Sequence, residues 1–191
     1  MRRIVCLGDS LTSGHGIGSA AAYPALLHQR VRRAGFPYEV VNAGASRETS
    51  AHGLARLDRA LDGDVRVLIV ALGANDGLRG VPVAQLSSNL SHIIERAQAR
   101  SVAVLLCAME ALPLYGWAYT TAFHNLYLEL AARYRVPLVP FILQNVIGNP
   151  RLMQGDHAHP NAEGARAIAD AIWPHLERIL TEPSVLASTS P

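Results

Sequence analysis

A serine flanked by glycines follows the first apolar run of the chain. Residues 3–7 read Arg-Ile-Val-Cys-Leu, and a Gly-Asp-Ser-Leu motif follows at positions 8–11, with Gly14 shortly after it. A serine two residues past a buried strand sits at a sharp strand-to-helix turn, which can expose its hydroxyl at the carboxyl edge of a sheet. Ser10 is therefore a candidate nucleophile if the chain supplies a base for its proton. The alternative is that Ser10 caps the following helix.

An aspartate and a histidine near the end of the chain have the spacing of a base and the carboxylate that orients it. Asp156 and His159 lie three residues apart in a loop bounded by Gly155 and Pro160. This spacing lets the carboxylate reach Nδ1 of the imidazole while Nε2 points outward, as a serine nucleophile requires. The alternatives are helix capping by Asp156 and, together with His157, a zinc site. No distant third ligand is evident, so we expect no metal.

Asn75 follows the longest apolar run of the chain, residues 65–72. Gly73 and Gly77 bracket it, so that the backbone can turn tightly off a buried strand. A carboxamide at this place can donate a hydrogen bond towards the charge that develops on a carbonyl oxygen during acyl transfer. The alternative is an asparagine that caps a turn through its own backbone. Asp76 is expected to be a turn residue or a brace.

The segments that must position these side chains alternate between strand and helix. Strands are predicted at 3–7, 38–42, 65–72, 102–107 and 136–139, and helices at about 21–34, 54–61, 83–100, 121–134 and 161–180. This alternation predicts an α/β fold with a parallel sheet covered by helices on both faces. The polar clusters fall at the carboxyl ends of strands, where such sheets place their sites. Their convergence favours the nucleophile interpretation of Ser10 over the capping one.

Length and composition favour one globular domain. The chain has 191 residues, half of them hydrophobic, and a formal net charge of +2. We expect a single domain over residues 1–180 and a flexible Ser/Thr/Pro-rich tail over 181–191. No basic cluster stands out beyond the Arg-rich end of the first long helix, so nucleic acid is not an implied partner. Cys6 and Cys107 lie in apolar runs and are expected to be buried thiols.

No apolar run approaches the length of a membrane span, so stable membrane insertion is not expected. The first strand is predicted to begin almost at Met1, which leaves no room for a signal peptide. A cytoplasmic location is therefore expected, although a leader that had been removed from a periplasmic or secreted protein would leave the same pattern. The oligomeric state does not follow from the sequence.

Three motifs resemble, in order and spacing, blocks of the GDSL, or SGNH, hydrolase family. They are Gly-Asp-Ser-Leu at 8–11, Gly-Ala-Asn-Asp at 73–76 and Asp-His-Ala-His-Pro at 156–160, and the resemblance covers Ile4 to about Leu180. Within the family the chain looks most like the bacterial arylesterase and multifunctional acyl-CoA thioesterase/lysophospholipase branch. The resemblance implies a flavodoxin-like three-layer α/β/α sandwich with a five-stranded parallel sheet.

The resemblance also implies roles for the polar residues. Ser10 would be the nucleophile, His159 the base and Asp156 its orienter, while Asn75 and backbone amides would form the oxyanion hole. One block departs from the family pattern, because Arg47 aligns with the glycine whose amide serves that hole. An arginine amide can still donate, so the amides of Ser10 and Arg47 remain the expected donors. What the arginine puts in question is the local backbone angle and the space above it.

The expected function is a serine carboxylester hydrolase that forms an acyl-enzyme on short-to-medium acyl esters, aryl esters in particular, with thioesters as a further substrate class. Its partner is a small-molecule ester, and no cofactor or metal is needed. Apolar side chains in the loops after the third and fourth strands are expected to bind substrate: Leu78, Leu112, Tyr115 and Trp117. Core packing is the alternative for the leucines. The alternative functions are a carbohydrate acetylesterase of the same fold and a non-catalytic ligand-binding domain.

Overall fold

Five parallel strands form the sheet on which the rest of the chain is built. A computed structural model describes residues 1–182. The strands are β1 (Arg2–Gly8), β2 (Tyr38–Gly44), β3 (Val65–Ala71), β4 (Ala103–Cys107) and β5 (Leu138–Val139). Their spatial order is β2-β1-β3-β4-β5, and all neighbouring pairs are parallel. This is the flavodoxin-like order, which reverses between β1 and β3. The predicted α/β fold is confirmed.

Helices cover both faces of the sheet. In chain order they are α1 (Ser10–Ser13), α2 (Tyr23–Arg33), α3 (Ser50–Ala55), α4 (Leu57–Ala60), α5 (Ala74–Arg79), α6 (Val83–Gln98), α7 (Trp117–Tyr134) and α8 (Ala162–Thr181). Helices α2 and α8 pack together on one face, while α6 packs with α3 and α7 on the other. None of the helices within residues 1–182 is long and apolar enough to cross a membrane.

The helices differ from the sequence prediction in several places, and the short helices α1 and α5 were not predicted. The helix predicted over 54–61 is two short helices that meet at Arg56, whose side chain bonds to Glu48 and to the Gly8 carbonyl and so overrides the local periodicity. Helix α7 begins at Trp117, four residues early, because Gly116 turns the chain with φ 88°. Helix α8 ends at Thr181, and residues 183–191 of the predicted tail lie outside the described residues.

The inner strands are buried on both faces, which is why β1 and β3 read as continuous apolar runs. Residues Ile4–Leu7 and Val67–Leu72 are almost fully enclosed. The helices contribute further buried side chains from both layers, among them Leu27, Val31, Leu86, Leu90, Ile168 and Ile172. The two cysteines are buried free thiols, as predicted.

The carboxyl ends of β1 and β2 approach α1 closely because Gly44 has no side chain. A Cβ at this position would overlap the backbone of Thr12 and Ser13. Asn42, two residues earlier, donates through Nδ2 to the Thr12 carbonyl over 2.8 Å and accepts the Gly44 N–H over 2.9 Å. The end of β2 thus fixes α1, and with it Ser10, at the edge of the sheet.

We expect Gly44→Ala to lower the free energy of unfolding by about 1–3 kcal/mol, because the added methyl group forces the end of β2 away from α1. Urea denaturation measures this change. The matched control is Gly155→Ala, since a Cβ at position 155 meets no atom within 4 Å. Equal stability of the two variants would mean that this close approach does not constrain the fold.

Candidate active site

Ser10, His159 and Asp156 meet at the carboxyl edge of the sheet. Nε2 of His159 lies 3.1 Å from Oγ of Ser10, and Nδ1 of His159 lies 2.6 Å from Oδ2 of Asp156. Ser10 begins α1, whereas the other two residues lie in the loop before α8. The structure therefore brings together the three residues that the sequence suggests as nucleophile, base and orienter. Their distances suit transfer of the serine proton to the imidazole.

Asp156 is held as an anion by three donors. Its Oδ1 accepts the backbone N–H groups of Ala158 and His159, each over 3.0 Å, while Oδ2 faces the imidazole. The pKa of Asp156 is held well below its ordinary value, mainly by the hydrogen bond to the His159 side chain and to a smaller extent by those from the two amides. The carboxylate thus fixes the imidazole with Nδ1–H pointing inward and the lone pair of Nε2 pointing at the serine.

The loop that carries Asp156 and His159 is anchored by Gln154. The Gln154 backbone N–H donates to the His159 carbonyl over 2.8 Å, and its Nε2 donates to the carbonyls of His15 and Pro160 over 2.7 and 2.8 Å. The side chain of Asn161, not that of Asp156, caps α8. The capping alternative for Asp156 is therefore wrong.

Two histidines near His159 differ in what they contact. The ring of His15 packs against that of His159 with centroids 4.6 Å apart, a contact that the sequence did not indicate. It limits the orientations open to the imidazole. His157 is exposed, as expected of a solvated neighbour. No group of three or more His, Cys, Asp or Glu side chains within residues 1–182 is arranged to hold a metal ion.

Asp9 lies directly before Ser10, and its side chain is fully buried. Its Oδ1 accepts the Leu11 N–H over 3.0 Å, so Asp9 is the N-cap of α1 and the Ser10 hydroxyl is left for His159. Burial raises the pKa of the Asp9 carboxyl to about 6. Asp9 had no predicted role, although an aspartate between a strand and a short helix is a usual N-cap signal.

Asn75, in the first turn of α5, bridges the two loops beside the serine. Its Nδ2 donates to the Glu48 carbonyl over 2.9 Å and makes a longer contact of 3.4 Å with Oδ2 of Asp9. The longer contact is the one that a substrate oxygen can replace at the lower cost. Next to it, the buried Asp76 carboxylate accepts the N–H and Oγ–H of Ser50, and so acts as the expected brace.

Arg47 keeps a glycine-like backbone. Its φ is 70°, in the left-handed region, which costs a residue with a Cβ about 1–2 kcal/mol. Its carbonyl accepts a bond from Arg79 over 2.7 Å, and Glu48 beside it pairs with Arg56 at 2.6 Å. Within residues 1–182 the Arg47 guanidinium itself has no hydrogen-bond or ion-pair partner. Arg47 therefore adopts a backbone conformation that glycine would adopt without strain.

The backbone amides of Ser10 and Arg47 are available to a ligand. Neither N–H donates a hydrogen bond to another group within residues 1–182. Two such N–H donors next to a serine and a carboxamide are suited to an anionic oxygen.

The four apolar residues predicted to bind substrate lie exposed in two adjoining segments. Leu78, on α5, is 55% exposed, and Leu112, Tyr115 and Trp117 are 51%, 50% and 75% exposed. Tyr115 Oη donates to the Leu78 carbonyl over 3.2 Å, which joins the two segments. Core packing, the alternative for the leucines, is therefore wrong. Their part in substrate binding stays a prediction.

Known proteins resemble this chain over nearly all of its length. The profile of the GDSL-like lipase/acylhydrolase family matches residues 6–167. Esterase TesA of Pseudomonas aeruginosa is 39% identical over 178 residues, which are 93% of this chain and 89% of that protein. The arylesterase of Vibrio mimicus is 35% identical over 179 residues, 93% of this chain and 90% of that protein. Thioesterase 1/protease 1/lysophospholipase L1 of Escherichia coli is 37% identical over 182 residues, 95% of this chain and 86% of that protein.

Solved structures agree with these matches. The crystal structure of TesA superimposes with a TM-score of 0.88 at 38% identity, and the match covers 94% of this chain and 100% of that one. AlinE4, described as an SGNH-hydrolase family esterase, gives a TM-score of 0.77 at 38% identity over 95% of this chain and 97% of that one. The predicted resemblance is thus confirmed: the chain belongs to the GDSL-like lipase/acylhydrolase family and is an esterase.

Proposed function

We propose that this esterase hydrolyses short-to-medium acyl esters, aryl esters in particular, and thioesters, through an acyl-enzyme formed on Ser10. The observation that carries the proposal is the continuous chain of contacts from Ser10 through His159 to Asp156, at 3.1 and 2.6 Å. The names of the relatives, an esterase, an arylesterase and a thioesterase/lysophospholipase, support both substrate classes.

In the acylation step, Ser10 Oγ attacks the carbonyl carbon of the ester while Nε2 of His159 removes its proton. The imidazolium that forms is stabilised by the Asp156 carboxylate, which contacts Nδ1. When the tetrahedral intermediate collapses, the imidazolium returns the proton to the leaving alcohol or thiol. The acyl group then remains on Ser10 as an ester.

Deacylation repeats the same chemistry with water in place of Ser10. His159 removes a proton from the water as it attacks the acyl carbon, and then returns that proton to Ser10 Oγ. The free carboxylic acid leaves. The protein groups supply both proton transfers, so the sequence of steps uses no cofactor.

The negative oxygen of each tetrahedral intermediate would be held by the amides of Ser10 and Arg47 and by the Asn75 side chain. Neither amide has an acceptor in the part of the chain that the structure describes, which supports this assignment. Asn75 would exchange its long contact with Asp9 for one with the oxyanion, while its shorter bond to Glu48 keeps the carboxamide in place. Donors fixed in this way need not reorganise during the reaction, which is the source of their effect on rate.

We expect Ser10→Ala and His159→Ala each to lower turnover by at least ~10³, since the triad acts as a unit. Activity of the unchanged enzyme should rise with pH over about pH 5–9, because only a neutral imidazole can accept the serine proton. The Asp156 pKa lies well below this range, so Asp156 does not produce the rise.

The control for the triad is His157→Asn, at an exposed position whose φ of 54° asparagine tolerates. It should keep normal turnover. Near-normal turnover of a folded Ser10→Ala protein, or a pH-independent rate, would disprove the mechanism.

The experiment that tests the function is a panel of nitrophenyl esters of increasing acyl length beside acetylated xylan. We expect a burst of nitrophenol and a kcat/KM that is higher for nitrophenyl butyrate than for the acetylated sugar. Each methylene buried against apolar side chains should add less than about 0.8 kcal/mol until the pocket ends. A preference for acetylated xylan would instead identify a carbohydrate acetylesterase, and absence of nitrophenol release from every ester would contradict the proposal.

At position 47 we expect Arg47→Gly and Arg47→Ala both to remain active, because the amide donor persists, and to accept bulkier acyl or alcohol groups. Thermal denaturation should show Arg47→Gly more stable than Arg47→Ala by about 1 kcal/mol, since glycine adopts the positive φ without strain.

Arg47→Pro should lose activity because proline has no N–H to donate to the oxyanion. Proline also fixes φ near about −65°, so this variant must be shown to be folded. A folded and fully active Arg47→Pro enzyme would exclude the Arg47 amide from the oxyanion hole. Inactive Arg47→Gly protein would show that the arginine side chain is itself required.

A further inference from the structure

Five large apolar side chains beside the candidate active site are exposed together. They form the apolar rim: Leu78, Leu112, Leu114, Tyr115 and Trp117, each between 50% and 75% exposed. Single exposed apolar residues are ordinary, but a contiguous group of them on a folded protein usually marks an interaction surface. The rim is therefore suited to bind a partner with an apolar surface.

The rim is one ordered surface and not a set of loose loop tips. Tyr115 lies in a 3-10 helix (Pro113–Tyr115), and its Oη donates to the Leu78 carbonyl. Its ring also lies so close to Gly80 that a Cβ there would overlap it. Tyr119 adds a bond of 2.8 Å from Oη to the Val81 carbonyl. The two segments are thus fixed to each other.

The rim is also continuous with the candidate active site. Helix α5 carries both Leu78 and, three residues earlier, Asn75. Arg79, the next residue of the helix, donates to the carbonyl of Arg47 over 2.7 Å. Whatever covers the rim therefore lies next to the loop that bears the Arg47 amide.

The two segments that carry the rim contain no negatively charged residue. Segments 77–94 and 111–128 contain no aspartate or glutamate. Arg47 and Arg79 are exposed, and within residues 1–182 neither guanidinium pairs with a carboxylate. Glu110, just before the second segment, is half-buried and contacts His124 at 2.6 Å. The apolar rim thus lies beside two arginines that have no carboxylate partner among the described residues.

We propose that the apolar rim docks peripherally onto an anionic lipid surface, with Trp117, Leu114 and Leu78 entering the boundary between headgroups and acyl chains. An indole ring has an apolar body and a polar N–H, which suits it to that boundary. Arg47 and Arg79 would face the lipid phosphates, and each cation near such a surface strengthens binding about fivefold. Docking itself does not depend on the proposed ester hydrolysis.

A second copy of the chain fits the rim less well. A two-fold symmetric interface brings the same patch of both subunits together. It would set Arg47 and Arg79 against their own copies, while the two rim segments offer no carboxylate to pair with them. Charge complementarity therefore favours an anionic lipid layer over self-association.

The first experiment measures cosedimentation of the Ser10→Ala protein with vesicles, since this variant cannot consume ester lipids during the assay. We expect binding to phosphatidylglycerol vesicles at least ten times tighter than to phosphatidylcholine vesicles, and weaker binding as salt is raised. Absence of binding to the anionic vesicles would overturn the proposal. The docking assay uses no turnover, so a failure of docking and a failure of the proposed hydrolysis are distinguishable.

Fluorescence tests which surface binds. The chain has two tryptophans, of which Trp117 is 75% exposed and Trp173 is partly buried against the core. In a Ser10→Ala protein that also carries Trp173→Phe, the tryptophan emission comes from Trp117 alone. Anionic vesicles should shift it to shorter wavelength, and brominated lipids should quench it. An unchanged spectrum with protein bound to vesicles would place the docking surface elsewhere.

Charge introduced into the rim gives the last test. Leu114→Asp with Trp117→Asp should weaken vesicle binding at least tenfold, whereas Ile147→Asp, an exposed apolar residue outside the rim, should not. Arg79→Glu should weaken binding more than the control, Arg59→Glu, which lies at an exposed position of α4. Leu114→Asp alone should hydrolyse a soluble nitrophenyl acetate normally. Unchanged vesicle binding in the rim variants, or a dimer that Leu114→Asp dissociates, would contradict the proposal.

Discussion

The geometry of the site depends on the hydrogen bonds that the fully buried carboxyl group of Asp9 accepts. Asp9 follows β1 directly, caps α1 through the Leu11 N–H and contacts the Asn75 side chain. Burial raises its pKa from 3.8 to about 6, so the folded state favours the protonated form. Its contribution to stability is therefore greatest below pH 3.8 and falls by an amount on the order of 3 kcal/mol as pH rises through about 6. Ionisation of Asp9 thus lowers the free energy of unfolding in the same pH range in which a histidine side chain becomes neutral.

The loop between β2 and α3 shows how a conformation that is unfavourable for one residue is maintained by its neighbours. Ala45 donates to the Gly8 carbonyl, and Arg56 contacts the same carbonyl while it pairs with Glu48. The loop is thus fixed on both sides of Arg47, which explains how an arginine keeps a positive φ there. Loops with a positive φ usually place glycine at that position. Glycine adopts this conformation without strain, so neighbouring contacts need not offset a strain energy.

The sequence was sufficient where the signal is local. Apolar runs located the strands, and the three-residue spacing of Asp156 and His159 indicated their contact, although their catalytic roles stay predictions. It was insufficient where distant segments decide the structure. The break at Arg56 comes from contacts with Glu48 and Gly8, and the packing of His15 on His159 joins segments far apart in the chain. Periodicity carries no information about such pairs.

The contact between Ser10 and His159 joins residues 149 positions apart, from the first helix and from the loop before the last described one. Contacts of such long sequence separation form late, because the closure entropy of the intervening chain must be overcome first. A partly folded chain, or one still being synthesised, would have Ser10 without the proposed base, His159. On the proposed mechanism, the enzyme would be inert until the loop before α8 has reached the sheet edge, and an unfinished chain would carry no activated nucleophile.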